Sequence, residues 1–516
     1  MRYLFQVAHF LATRRPPVSR WRPLPPSCTE TPAGTARCRP SGGGRPQRPP
    51  EKPVHFSLKG HPSRGGAWRH GADCRQPEFP RQPINRRVNK LDKETFSKYA
   101  LRNASRNYGS VSPMVLMSSA GLSKARLARL HDVMVGYVER GEVPGLVALV
   151  CRRGETHVEA LGTKTLGGSD PVQRDTIFRI ASMTKPITAA AAMILVEECK
   201  LRLDDPVDRL LPELADRRVL KRLDGPLDDT EPAKRAITLR DLLTLRMGFG
   251  MLMAPPGTYP IQTAIDDLQL GQGLHHPSLP PGPDEWIRRL GTLPLMHQPG
   301  EKWLYHTGSD VLGVLIARSS GQALDTFLQE RIFEPLGMKD TAFSVPASKL
   351  DRLAASYLTN SETGALELYD PAEGGQWSRS PAFQSGSVGL VSTVDDYLAF
   401  TRMMMNQGRH GSRRILSRPS VETMTVDHLT AAQKAVSGLI SENSGWGFGV
   451  AVVTRRDHVS APVGSYGWAG GLGTSWRSDP SEDMVVILMT QASWTSLVPG
   501  PVSRDFGILA YQAIDD

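Results

Sequence analysis

Strand-forming runs lie at both ends of the apolar part of this chain, and a long helix-rich stretch separates them. GLVALVCRRGETHVEALG (145–162) reads as two strands folded about Arg152, Arg153 and Gly154. Comparable runs return only beyond residue 445, as WGFGVAVVT, YGWAGGLGTSWRS and MVVILMTQ. A lone hairpin is marginal in water, so these distant runs must find one another. The expected fold class is therefore α/β (α+β). It is an antiparallel sheet built from both chain ends and flanked by helices, with a mostly helical domain inserted over about 200–390.

Helical spacing fills the rest. LSKARLARLHDVMVGYVERG places Leu127, Leu130, Val133, Met134 and Tyr137 on one stripe, and Gly141 ends it. ITAAAAMILVEECKLRL is too continuously apolar for a surface helix and is expected to be buried. LDDPVDRLLPEL, ITLRDLLTLRM, VLGVLIARSSG and ALDTFLQERIFEPLGM read as further helical pieces, and SRDFGILAYQAIDD as a closing helix. LGQGLHHPSLPPGPDEW reads as a long irregular loop of the kind that is often functional. No run of 18 apolar residues occurs, so no transmembrane segment is expected.

The formal net charge of +10 suggests nucleic acid until it is split by position. Residues 1–113 hold 22 Lys+Arg against 6 Asp+Glu and 16 of the 41 prolines, whereas the remainder is mildly acidic. The tail has no apolar period, and residues 1–113 are expected to be a disordered basic Pro/Arg-rich tail ahead of a folded domain at 114–516. It lacks heptads, zinc ligands and aromatic RNA-binding patterns, so no nucleic-acid partner is expected. Five arginines and no acid in residues 1–29 resemble a mitochondrial transit sequence. The competing reading is an extension ahead of a working start at Met114 or Met117, with a cytoplasmic protein. Only Cys151 and Cys199 lie beyond the tail, which makes no disulfide framework, and no C-x-x-C metal pair exists.

Several catalytic signatures are missing: G-x-S-x-G, H-E-x-x-H and the phosphate-binding G-x-x-x-x-G-K-[ST]. His275 and His276 read as loop residues rather than a metal site. What remains is Ser182-Met183-Thr184-Lys185, followed by Pro186 and the buried helix. Residues i and i+3 share a helix face, so the amine can approach the hydroxyl. Desolvation and the helix dipole both disfavour an ammonium there, which suits Lys185 to act as base for Ser182. Ser and Lys are common, and alone the pairing is weak.

Two further motifs give it weight. PGEKWLYHTGSDVLG runs from Pro299 to Gly313, and GWAGGLGT from Gly467 to Thr474. With Ser182-x-x-Lys185, in this order and at these separations, they resemble the serine β-lactamase-related family of class C β-lactamases, D-Ala-D-Ala peptidases and family VIII esterases. FRIASMTKPIT, ITLRDLLTLRMGFG, PLGMKDTAF and SGSVGLVSTVDDYLAF add to a resemblance that spans roughly residues 120–512. It implies the β-lactamase/transpeptidase-like fold, with Ser182 as acylated nucleophile. Lys185 and Tyr305 would share the base role: either a neutral Lys185 takes the proton, or a charged Lys185 stabilises a Tyr305 phenolate that does. The oxyanion hole would be the N–H groups of Ser182 and Gly471, and no metal or organic cofactor is implied.

The departures bear on substrate. Where β-lactamases usually carry Lys-Thr-Gly, this chain has Trp468-Ala469-Gly470, and Thr307 replaces the Asn of Tyr-x-Asn. A cation, a hydroxyl and an amide that would hold a β-lactam are thus missing. Trp468, Ala469 and Gly470 are expected to form an uncharged substrate-binding wall suited to a small neutral ester. The expected function is a serine hydrolase working through an acyl-enzyme on short-chain carboxylic esters. The alternatives are a β-lactamase or D-Ala-D-Ala peptidase, or a non-catalytic scaffold.

Overall fold

The structure, a computed structural model, describes residues 120–271, 276–435, 437–456, 458–496 and 499–516. The expectations for residues 1–113, including the transit sequence and the Met114 start, lie outside the described residues, as does His275.

The expected hairpin is formed by β1 (Gly145–Arg152) and β2 (Glu155–Gly162). Arg153 and Gly154 connect them with φ of 49° and 84°, and the two left-handed residues match the twist of the strands. The C-terminal runs supply β3 (Ser444–Trp446), β4 (Ala451–Val453), β5 (Tyr466–Gly470), β6 (Thr474–Asp479) and β7 (Met484–Thr490). All seven strands form one antiparallel sheet in the order β3-β4-β5-β6-β7-β1-β2. The two chain ends meet where Leu146 pairs with Thr490 and Arg152 with Met484.

Strand side chains alternate between faces, and the two faces serve different layers. On the outer face Ala148, Val150, Val486 and Leu488 pack with α1 (Lys124–Glu139) and α5 (Pro501–Gln512), through Leu130, Met134, Phe506 and Leu509. On the inner face Leu149, Trp476 and Ile487 pack with α2 (Thr184–Glu197), α3 (Thr307–Ser320) and α4 (Val394–Met405). Helix α2 is buried from Thr184 through Leu195, as its unbroken apolar run requires.

Three local expectations change. WGFGVAVVT is not one strand but β3 and β4 around a tight glycine turn. A Cβ on Gly447 would lie 2.1 Å from the Met424 carbonyl, and one on Gly449, at φ 75°, 2.8 Å from that of Lys185. YGWAGGLGTSWRS likewise becomes the β5–β6 hairpin. LDDPVDRLLPEL is not a helix: its prolines restrict it to turns and a short 3₁₀ segment at Pro212–Leu214. The helical insertion also carries small strand pairs, such as Ser356–Thr359 with Leu366–Asp370. The described part of the long loop ends at the helix Pro283–Thr292, where the buried Trp286 indole donates to the Leu270 carbonyl at 3.0 Å.

Candidate active site

Ser182 lies in a 3₁₀ turn (Ala181–Met183) that feeds α2. Ala181 holds φ at 43°, a conformation that costs an alanine of order 1–3 kcal/mol and turns the next side chain out of the helix line. Lys185, one turn on, is 1% exposed. Its Nζ donates to Ser182 Oγ at 3.0 Å and to the Ser387 carbonyl at 2.9 Å. Burial pulls its pKa down to about 7, against the pull of Asp310, which raises it.

Tyr305 comes from the segment before α3. His306, at φ 76° and ψ −37°, makes a tight γ-turn in which Thr307 N–H donates to the Tyr305 carbonyl at 3.3 Å. This turn sets Tyr305 against Trp303, with ring centroids 5.4 Å apart. Lys185 Nζ lies 4.5 Å from the Tyr305 ring centroid, over its face rather than at its oxygen. The phenol is pushed up to about 12 by burial, opposed by hydrogen bonds with Ser182 and Trp468. Tyr305 is therefore a neutral phenol at pH 7, while the Lys185 amine is part-deprotonated.

The third motif reaches the site along β5. Gly470 passes so close to the nucleophile's turn that a Cβ there would lie 2.3 Å from the Ile180 carbonyl. Thr474 Oγ1 ties the following strand to the same carbonyl at 3.2 Å. Trp468 is more than a wall: its indole N–H donates to Tyr305 Oη at 2.8 Å. Ala469 lies between them in sequence, and strand alternation sends its side chain to the outer face, where its partner Ser475 lies beside Leu488. Gly471 lines the cavity in the β5–β6 turn, and its carbonyl accepts from Trp494 N–H at 3.1 Å. The arrangement thus brings together Ser182, Lys185, Tyr305, Trp468 and Gly471, while Ala469 lines the same cavity with its side chain on the outer face.

Behind Lys185 stands a network that the motifs did not reveal. Asp310 in the first turn of α3 is buried, and Oδ1 accepts from Ser385 Oγ at 2.6 Å and from Ser387 N–H at 3.2 Å. Its Oδ2 accepts from Ser387 Oγ at 2.9 Å. Ser387 Oγ also contacts His306 Nδ1 at 3.3 Å, and the Ser387 carbonyl accepts from Lys185. Burial raises the Asp310 carboxyl, while Lys185 and the serines lower it. The only advance signal was a polar Ser-Gly-Ser inside an otherwise apolar stretch, with Asp310 five residues after Tyr305.

The five grouped residues, apart from buried Lys185, line a cavity of about 600 Å³ with Met251, His276 and Val388. Among the described residues no cluster of side chains could hold a metal ion, and no helix is long and apolar enough to cross a membrane. His276 instead approaches Gln376 Nε2 at 3.3 Å.

A β-sheet of both chain ends, a helical insertion and a Ser-Lys-Tyr cluster at their junction define a serine hydrolase of the β-lactamase-related type. The Beta-lactamase family matches residues 130–496, and the chain belongs to that family. An uncharacterised protein of Mycobacterium tuberculosis is 39% identical over 362 residues, 68% of this chain and 87% of the relative. Esterase EstB of Burkholderia gladioli is 30% identical, covering 73% of this chain and 93% of the esterase. Among solved structures, EstCE1, described as a hydrolase with promiscuous acyltransferase activity, has a TM-score of 0.60 and 25% identity over 76% of this chain and 99% of its own. The chain is an enzyme of the β-lactamase-related hydrolase and acyltransferase family.

Proposed function

We propose that the protein is a serine carboxylesterase that acylates Ser182 with the acyl group of small, uncharged esters. The observation that carries this reading is the buried Lys185 amine, 3.0 Å from Ser182 Oγ and with its pKa pulled down to about 7. Of the two base assignments it favours the neutral lysine. Lys185 accepts the serine proton as Oγ attacks the ester carbonyl, and the oxyanion develops between the N–H groups of Ser182 and Gly471. Tyr305, neutral and held by the Trp468 indole, passes its proton to the leaving alkoxide and takes back from Lys185 the proton that Ser182 gave up. Deacylation repeats the steps in reverse with water as nucleophile.

The substrate class follows from what the site lacks. Trp468 offers an indole where a carboxylate-binding cation would stand, and that indole is already committed to Tyr305. Losing a charge-assisted hydrogen bond costs about 1.5–3 kcal/mol, so anionic β-lactams should be handicapped by one to two orders of magnitude. The test is kcat/KM on p-nitrophenyl butyrate against nitrocefin. An ester preference of at least about a hundredfold is expected, and parity would reverse the assignment.

A second activity, acyl transfer to an alcohol, is favoured by the cavity. Its volume of about 600 Å³ exceeds what a short acyl chain fills and leaves room for an acceptor beside Ser182. Relatives at 29% and 25% identity are a lovastatin esterase of Penicillium rubens and a monacolin J acid methylbutanoyltransferase of Aspergillus terreus. Product analysis with butyl alcohol present, scoring butyl ester against free acid, separates transfer from hydrolysis.

A further inference from the structure

The cavity continues beyond the nucleophile to the outer face of the sheet. There it is lined by Arg477 of β6, by Trp494, and by Ser503, Gly507 and Tyr511 of α5. Residues 503, 507 and 511 recur every four positions and so form one stripe along the helix. Arg477 pairs across the sheet with Gly467 and Val486, and Val486 belongs to the outer core, which fixes the face that the arginine shares.

Other buried guanidinium groups have carboxylate or carbonyl partners. Arg179 binds Asp370, Arg152 binds Glu482 and Asp516, and Arg217 donates to the carbonyls of Leu290, Gly291 and Leu293. Arg477, though part-buried, makes no hydrogen bond or ion pair with any described residue. Burial pushes its pKa down, with Tyr511 and Asp479 opposing. Asp479 is held by other donors. Oδ1 accepts from Ser481 N–H at 2.9 Å, Ser481 Oγ at 2.6 Å and Glu482 N–H at 3.3 Å, and Oδ2 from Tyr511 Oη at 2.8 Å. Trp494 Nε1 and Ser503 Oγ, from two further residues of the lining, are buried without a partner among the described residues. A guanidinium in a largely apolar lining leaves a polar debt that an apolar ligand cannot settle.

We propose that the outer part of this cavity binds a carboxylate carried on an apolar body, with Arg477 as anchor. The planar fork of a guanidinium fits a carboxylate. The surroundings, including Val453, Ala461, Val486 and Phe506, suit a hydrocarbon chain. Arg504 of α5 also lines the cavity and adds a second positive charge. The inference is independent of the reaction at Ser182.

Calorimetric titration of the full chain with octanoate, 1-octanol and inorganic phosphate tests it. Octanoate should bind, and the alcohol at least about tenfold more weakly, the value of one charge-assisted contact, with phosphate weaker too because it lacks the apolar body. Arg477→Met should weaken octanoate at least about tenfold without lowering the melting temperature, since an unanswered buried charge does not support the fold. Gly507→Leu is a second arm: a Cβ there meets only Ser460 Cβ at 4.0 Å, so the side chain has space in the cavity and should abolish octanoate binding. Equal binding of octanoate and octanol, unchanged binding in either variant, or a lowered melting temperature for Arg477→Met would each overturn the proposal.

Discussion

Two buried charges on opposite faces of the central sheet are handled in opposite ways. On the inner face the buried Lys185 is held by Ser182 Oγ and the Ser387 carbonyl, and Asp310 behind it is saturated by Ser385 and Ser387. On the outer face Arg477 stands in the wall of the same cavity with no hydrogen bond to a described residue. A charge that the protein completes for itself is poised for chemistry at a fixed point. One that it leaves incomplete is poised for something that arrives. The difference also explains why only one face was legible from motifs: chemistry needs particular residues at particular spacings, whereas a receptive arginine needs only a place.

Removing the nucleophile should produce the largest effect on the inner face. Ser182→Ala is expected to lower kcat for p-nitrophenyl butyrate by at least about a thousandfold, with the circular dichroism spectrum unchanged. Lys185→Ala and Tyr305→Phe should each lose comparably, and the double variant little more than either, because the groups act as one unit. Independent, multiplying losses would break the picture of a single wired cluster.

A smaller change should come from Asp310. The acid limb of kcat/KM lies near pH 7 if Lys185 must be neutral, since its pKa is about 7. Asp310 raises that value, so Asp310→Asn should move the limb to lower pH, by about one unit. A limb that stays in place, or moves to higher pH, would show that the network supports the fold and not the lysine.

The same lysine carries a stability cost with a definite sign. Its folded pKa lies below the unfolded value, so the folded state holds fewer protons and stability falls as pH drops from about 10 toward 7. Lys185→Met should therefore raise the melting temperature at pH 6, by about 5 °C, while activity is lost. Melting curves at pH 6 and pH 9 check it, and the gain should shrink at the higher pH.

The smallest expected effect is at Trp468. Trp468→Phe keeps the ring and removes the 2.8 Å donor to Tyr305. One neutral hydrogen bond is worth about 1 kcal/mol, so kcat should fall about fivefold with KM nearly unchanged. A rise in KM alone would return Trp468 to the role of a passive wall.

Much of the fold was legible because local rules and global pairing agree. Arg153-Gly154 announced the first hairpin, and the apolar run from Ile187 announced the buried helix behind Ser182. Where they disagree the reading slipped: Pro206 and Pro212 outweigh the leucines of LDDPVDRLLPEL, and Gly447 and Gly449 divide what looked like one strand. In the site, the Ser-Lys spacing carries its own geometry. The left-handed turns at Ala181 and His306 do not, because neither residue type advertises that conformation. Nor could spacing along the chain reveal that Trp468 would spend its N–H on Tyr305, or that Asp310 and Ser387, 77 residues apart, would meet behind Lys185.

The claim at the centre is that a neutral Lys185 activates Ser182. It is tested most directly by the rate at which an active-site phosphonate labels the full chain between pH 5 and pH 9, with the adduct located by peptide mass spectrometry. The expected result is one adduct, on Ser182, whose rate rises through pH 7 and then levels, following deprotonation of a group with a pKa of about 7. An adduct on another residue, or a Ser182 rate that is flat from pH 5 to pH 8, would contradict it.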